Sequence, residues 1–121
     1  MPCDFLVVQA YENIVLARIE KDRLLDIAAI TAVSVELVKL TDRYPKISLV
    51  LDLEAVSALS SAMLGKLVAL HKAVAVVKGR MTLAGVKPGI MPLFTVTKLD
   101  KLFTFSPTAQ EAILYYRRKP I

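Results

Sequence analysis

The sequence predicts a small α/β domain: a mixed, mostly parallel sheet of about five strands covered by about four helices, in the order β-β-α-β-α-β-α-β-α. Three observations carry this prediction. Two short apolar runs at the start are separated by a turn pair, Glu12-Asn13, which reads as a hairpin. The run Ile47 to Leu53 (ISLVLDL) is almost continuously apolar, as expected for a central strand buried on both faces. Beyond the hairpin, segments of helical period alternate with strand-like runs, which favours parallel pairing through right-handed crossovers.

The elements follow in order. Phe5 to Ala10 (FLVVQA) and Ile14 to Ile19 (IVLARI) read as the hairpin strands. Leu25 to Tyr44 reads as a helix, with Ile27, Ile30, Val33 or Ser34, Leu37 and Leu40 at helical spacing. Asp26 suits its N-cap and Pro45 stops it. After the central strand, Ser60 and Ser61 open a second helix with the stripe Met63, Leu67, Leu70, Val74 and Val77, closed by Gly79. Arg80 to Val86 is a strand. Lys87-Pro88 starts a short helix reaching about Thr97. Leu102 to Phe105 is a short edge strand, Pro107 to Tyr116 a last helix, and RRKPI a basic tail. No repeat or linker interrupts the chain, so residues 1–121 are expected to form one domain.

Composition limits the function. With 55% apolar residues the chain can bury a core and is not disordered. Cys3 is the sole cysteine and His71 the sole histidine, which excludes an internal disulfide, a cysteine zinc site and a histidine cluster. The apolar stretches Leu24–Leu37 and Met63–Val77 carry charges within them, and no membrane span is expected. With no signal peptide and no disulfide, the expected location is the cytoplasm. Residues 1–60 hold six Lys/Arg against nine Asp/Glu, and residues 61–121 hold ten against two. A basic half attracts anionic partners, but Lys66, Lys72, Lys78 and Arg117 are scattered along it and no known reader motif appears. Nucleic-acid binding is therefore not expected.

Catalysis finds little support. His71 stands ten residues after Ser61, nearly three helical turns or about 15 Å of rise, so the two cannot pair on one helix. Asp52 and Glu54 flank the carboxyl end of the central strand, where sites form in parallel sheets, without other acid–base groups nearby in sequence. No phosphate-binding or dinucleotide fingerprint occurs, and no cofactor or metal is expected. The notable feature is Ser60-Ser61, between strand and helix. One serine is explained as an N-cap; two are not. A phosphoserine at a helix start adds about −1.5 to −2 charge and fits the helix dipole.

The segments LVLDLEAVSAL, SSAMLGKLVALHK, KGRMTLAGVKP, KLDKLFTF and QEAIL stand in this order. As a set, the chain resembles a STAS domain, the family of bacterial anti-sigma factor antagonists and related regulators. The resemblance covers most of the chain and is strongest from Ile47 to Leu114. It places Ser60 at the family's Asp, Ser61 at its phosphorylatable serine, Ala62 at the second hydroxyl and Met63 at the glycine; a shift of one residue makes Ser60 the phosphosite. It implies a non-catalytic interaction module that binds an anti-sigma factor or serine kinase when this serine is free. Phosphorylation then releases the partner and a phosphatase restores binding. Met63 is expected either at the partner-facing rim or in the core, and Glu20, Lys21 and Asp22 flank the same surface. The family also permits a self-associating scaffold, a homo-oligomer, or a sensor of a small ligand such as a nucleotide or lipid.

Overall fold

The structure, a computed structural model, describes residues 4–121; Cys3 lies outside them. The hairpin forms as β1 (Leu6–Tyr11) and β2 (Ile14–Ile19), paired antiparallel from Leu6↔Ile19 to Tyr11↔Ile14. Glu12 turns the chain with a left-handed φ of 56°. The Asn13 amide donates to the Pro45 carbonyl at 2.8 Å and ties the turn to the loop ahead of the central strand.

Helix α1 (Ile27–Arg43) begins where Asp26 caps it: the carboxylate accepts from the Ala29 N–H at 3.0 Å. Strand β4 (Ser48–Asp52) is buried throughout, in keeping with its almost continuously apolar run. Helix α2 (Ser61–Val76) follows, then β6 (Arg80–Ala84), α3 (Met91–Val96), a single 3₁₀ turn at Leu99–Lys101, β7 (Thr104–Ser106) and α4 (Ala109–Arg118). Two further strands, β3 (Arg23–Leu24) and β5 (Ala58–Leu59), pair with each other apart from the main sheet.

The five-stranded sheet runs β1-β2-β4-β6-β7, parallel everywhere except at the hairpin. This is the predicted α/β architecture with four helices. Strand alternation sends Val15, Ala17, Ile19, Leu49, Leu51, Met81 and Leu83 into the main core, packed with apolar residues of α1, α2 and α3. Val50 and Ala84 point the other way, against Ala112 and Tyr116 of α4. Phe94 is fully buried, with its ring edge-to-face to Phe103 and Phe105 at 6.0 and 5.3 Å.

Several boundaries differ from the sequence reading. Ile27 was expected in the core stripe but is 67% exposed, because it is the first helical residue and precedes the turn that meets the sheet. The short helix starts at Met91 rather than at Lys87, with Pro92 in its first turn in place of Pro88. The last strand starts two residues later than expected, and α4 starts at Ala109 rather than at Pro107, with Thr108 as its cap. Gly79 does not supply the left-handed residue that ends α2. Lys78 does, with φ 59°. The Lys78 N–H donates to the Ala75 carbonyl and the Gly79 N–H to the Val74 carbonyl, a Schellman closure. Gly79 is required for another reason: a Cβ there would lie 2.5 Å from the Ile47 carbonyl oxygen.

Candidate functional site

The site lies on the rim formed by the carboxyl ends of β2 and β4 and the start of α2. Asp52 ends β4 and anchors this rim. Its Oδ1 accepts from the Glu54 N–H at 3.0 Å, which bends the chain out of the strand. Its Oδ2 accepts from Arg18 Nε at 3.1 Å, across the β2–β4 register pair Arg18↔Asp52. The Asp52 side chain is only 2% exposed, so its charge is held by these two donors. Glu54 is exposed and meets Asp52 through its backbone N–H, with no hydrogen bond between the two carboxylates among the described residues. Gly85, left-handed at φ 67°, passes so near that a Cβ would sit 3.3 Å from Asp52 Oδ1.

Two loops are stitched together above Asp52. The Ser57 and Ala58 N–H groups both donate to the Asp22 carbonyl, at 2.7 and 3.2 Å, and the Ser57 hydroxyl donates to the Asp22 carboxylate. The β3–β5 pair continues this seam through Arg23↔Ala58 and Leu24↔Leu59, and the Ser60 N–H donates to the Leu24 carbonyl. Glu20 is fixed by its N–H to the Phe5 carbonyl at 2.7 Å, and Lys21 Nζ rests 5.1 Å from the Phe5 ring centre. The seam therefore brings Glu20, Lys21 and Asp22 to the same rim as Ser60, Ser61 and Ala62. A shallow cleft beside Glu20, Lys21 and Asp22 is lined by these three with Arg18, Glu54 and Ala55.

The two serines have different tasks. Ser60 is the N-cap of α2, with extended backbone (φ −87°, ψ 161°), and its hydroxyl accepts from the Met63 N–H at 3.3 Å. Ser61 is the first helical residue. It is exposed, and its hydroxyl has no hydrogen-bond partner among the described residues. Ala62 is exposed beside it. Met63 corrects the rim expectation: it is 1% exposed and buried in the main core with Leu67, Leu70 and Val74. The helix turns about 100° per residue, so two positions past Ser61 the side chain points at the sheet. His71 is half-buried against Phe103, ring edge to face at 5.6 Å, which makes it a packing residue. The Arg18–Asp52 pair and the Ser57–Asp22 seam were not found from sequence. Only the Asp at the end of ISLVLDL signalled the first, and nothing local signals a partner 34 residues away.

A profile of the STAS domain matches residues 5–112. The chain belongs to the STAS domain family. Solved structures agree on the fold. A protein of Thermotoga maritima, described as a proposed anti-sigma factor antagonist, superposes with a TM-score of 0.80 at 17% identity, covering 94% of this chain and 96% of that one. An anti-sigma factor antagonist of Mycobacterium paratuberculosis gives 0.77 at 24% identity, covering 93% and 92%. The antagonist SpoIIAA, solved in its unphosphorylated form, gives 0.70 at 14% identity, covering 94% and 98%. The same Bacillus protein in its phosphorylated form gives 0.68 at 18%, covering 89% and 96%. A comparison with curated proteins finds no matching relative.

In this STAS domain no helix among the described residues is long and apolar enough to cross a membrane, and no group of three metal-ligating side chains converges among them. The face under α4 carries its own buried polar pair, Thr82 and Tyr116, whose hydroxyls lie 2.5 Å apart. Burial raises the Tyr116 phenol above its ordinary value, opposed by the Thr82 hydrogen bond and the charge of Arg80. The folded chain thus holds this proton more tightly than the unfolded chain. The stability it contributes is complete below the unfolded value near 10 and is lost as pH rises through the folded value. Tyr116→Phe is expected to cost about 1–3 kcal/mol near neutrality, because Thr82 loses its partner. The variant should lose less stability than the parent above about pH 10. Urea melts on either side of that pH check this; identical alkaline losses would refute it.

Proposed function

We propose that this STAS domain is a non-catalytic, cytoplasmic regulatory module of the anti-sigma factor antagonist type. It binds an anti-sigma factor or serine kinase through the rim that carries Ser60, Ser61, Ala62, Glu20, Lys21 and Asp22. Phosphorylation of Ser61 releases the partner, and a phosphatase restores binding. One observation carries the choice of residue: Ser60 is committed as the helix cap, which leaves the exposed Ser61 hydroxyl without a partner among the described residues. The position is exposed, and the start of a helix favours the charge of a phosphate. The cleft lined by Glu20, Lys21 and Asp22 already holds three carboxylates against two cations. A phosphate adds about two more negative charges to a surface that must desolvate on binding.

The test is site-resolved mass spectrometry on protein taken from its native host. A phosphorylated fraction mapped to Ser61 is the expected result. Phosphate mapped to Ser60, or none across growth and stress conditions, would overturn the switch.

A second reading, self-association, is favoured by β1. This edge strand has six residues, and the run Phe5 to Tyr11 (FLVVQAY) contains no charge or proline. Its residues from Val7 onward are exposed, and its outer edge pairs with no strand among the described residues. Natural edges are usually blunted by charge, proline or a bulge. A second copy can add its own β1 antiparallel across a two-fold axis. Light scattering after size exclusion should show a dimer that Val8→Lys converts to monomer. A parent that is monomeric at high micromolar concentration would refute it.

A further inference from the structure

The end of the sheet opposite Ser61 carries a second feature. Where β4 and β6 begin, a concave cleft of about 420 Å³ opens between the hairpin turn and the end of α4. That size lies within the range of small-molecule sites. Lys46, Arg80 and Arg117 line it, and they come from three distant parts of the sequence; Glu12 is the carboxylate side chain in the wall.

Arg80 is the informative residue. It is half-buried, and three contacts hold it in place. Nε donates to the Ser48 hydroxyl at 2.8 Å, Nη2 donates to the Tyr116 carbonyl at 3.3 Å, and the guanidinium lies 4.2 Å over the Tyr116 ring. None of these is a carboxylate. The ion pairs among the described residues are Arg18–Asp52 and Lys39–Glu36. A half-buried guanidinium is normally paired with an anion. Arg80 is instead fixed by neutral groups, with part of its five-donor fork uncommitted. Arg117 stands nearby, 5.3 Å over the Tyr11 ring. Tyr11, Ile14 and Tyr116 supply an apolar wall beside the cations.

We propose that this cleft binds a small phosphomonoester, with the phosphate on Arg80, Lys46 and Arg117 and the organic part against Tyr11 and Ile14. A dianion gains more from three cations than a carboxylate does, and the concave cleft of about 420 Å³ suits a small molecule. The site stands at the amino ends of the parallel strands, whereas the Ser61 rim stands at their carboxyl ends. It is independent of the phosphorylation switch.

The probe is phenyl phosphate, titrated into isotope-labelled protein and followed by amide shifts, with phenol, benzoate and chloride at matched ionic strength as controls. Saturable shifts around Asn13, Ser48 and Arg80 are expected, with a dissociation constant on the order of 0.1–1 mM. Arg80→Gln should weaken binding at least about tenfold. Lys46→Ala with Arg117→Ala changes only exposed side chains and should do the same if Arg80→Gln fails to fold. Lys66→Ala, on the exposed side of α2, should leave binding unchanged. Absence of saturation, equal shifts with chloride, tighter binding of benzoate, or unaltered affinity in the Lys46→Ala, Arg117→Ala variant would each overturn the proposal.

Discussion

Phosphorylation of Ser61 is expected to weaken partner binding by about a thousandfold, and Ser61→Asp or Ser61→Glu by at least about tenfold, while Ser61→Ala binds as the parent does. The asymmetry follows from the position. The free hydroxyl is small and exposed, and a partner can cover it with one hydrogen bond or none at modest cost. A phosphate dianion covered without counter-charge costs several kcal/mol. The aspartate mimic carries about half that charge and should show a smaller effect of the same sign. Ser60→Ala is the internal control. It removes the cap on the Met63 N–H and should lower stability by about 1 kcal/mol without mimicking the phosphorylated state. Titration calorimetry against the partner kinase reads all of these. Equal affinity for Ser61→Ala, Ser61→Asp and the phosphorylated form would end the switch reading.

Met63→Ala is expected to destabilise the fold by about 2–5 kcal/mol, and Met63→Leu by less than about 1.5 kcal/mol. Met63 is sealed among Leu67, Leu70 and the sheet, so truncation leaves a cavity, whereas leucine refills most of the volume. Met63→Leu should therefore keep partner affinity. Urea denaturation together with the binding assay separates the two roles. A Met63→Ala protein of parental stability with weakened binding would move Met63 back to the interface.

The difference between the two neighbouring predictions explains what was legible. Local patterns carried most of the architecture, because each depends on a few adjacent residues. The Asp26 cap, the stop at Pro45, the buried run of β4 and the stripe Leu67, Leu70, Val74 are all short-range signals. The stripe also pointed to Met63 as core, and the family pattern pointed to the rim; helical geometry settles it for the core. The β3 and β5 strands escaped prediction because two residues show no period. They form only because Asp22 and Ser57, 35 residues apart, are brought together by the parallel sheet.

The amino-acid sequence alone was enough for the α/β class, the order of the main-sheet strands and the helices, and the placing of two serines at a helix start, since hydrophobic period and capping act over one or two turns. Tertiary structure decided the rest. It separated the capping Ser60 from the free Ser61, paired Arg18 with Asp52 under the rim, and brought Lys46, Arg80 and Arg117 around one cleft. Those arrangements depend on which strands become neighbours. Strand order is set by burial of the whole chain at once, which no local stretch of residues encodes.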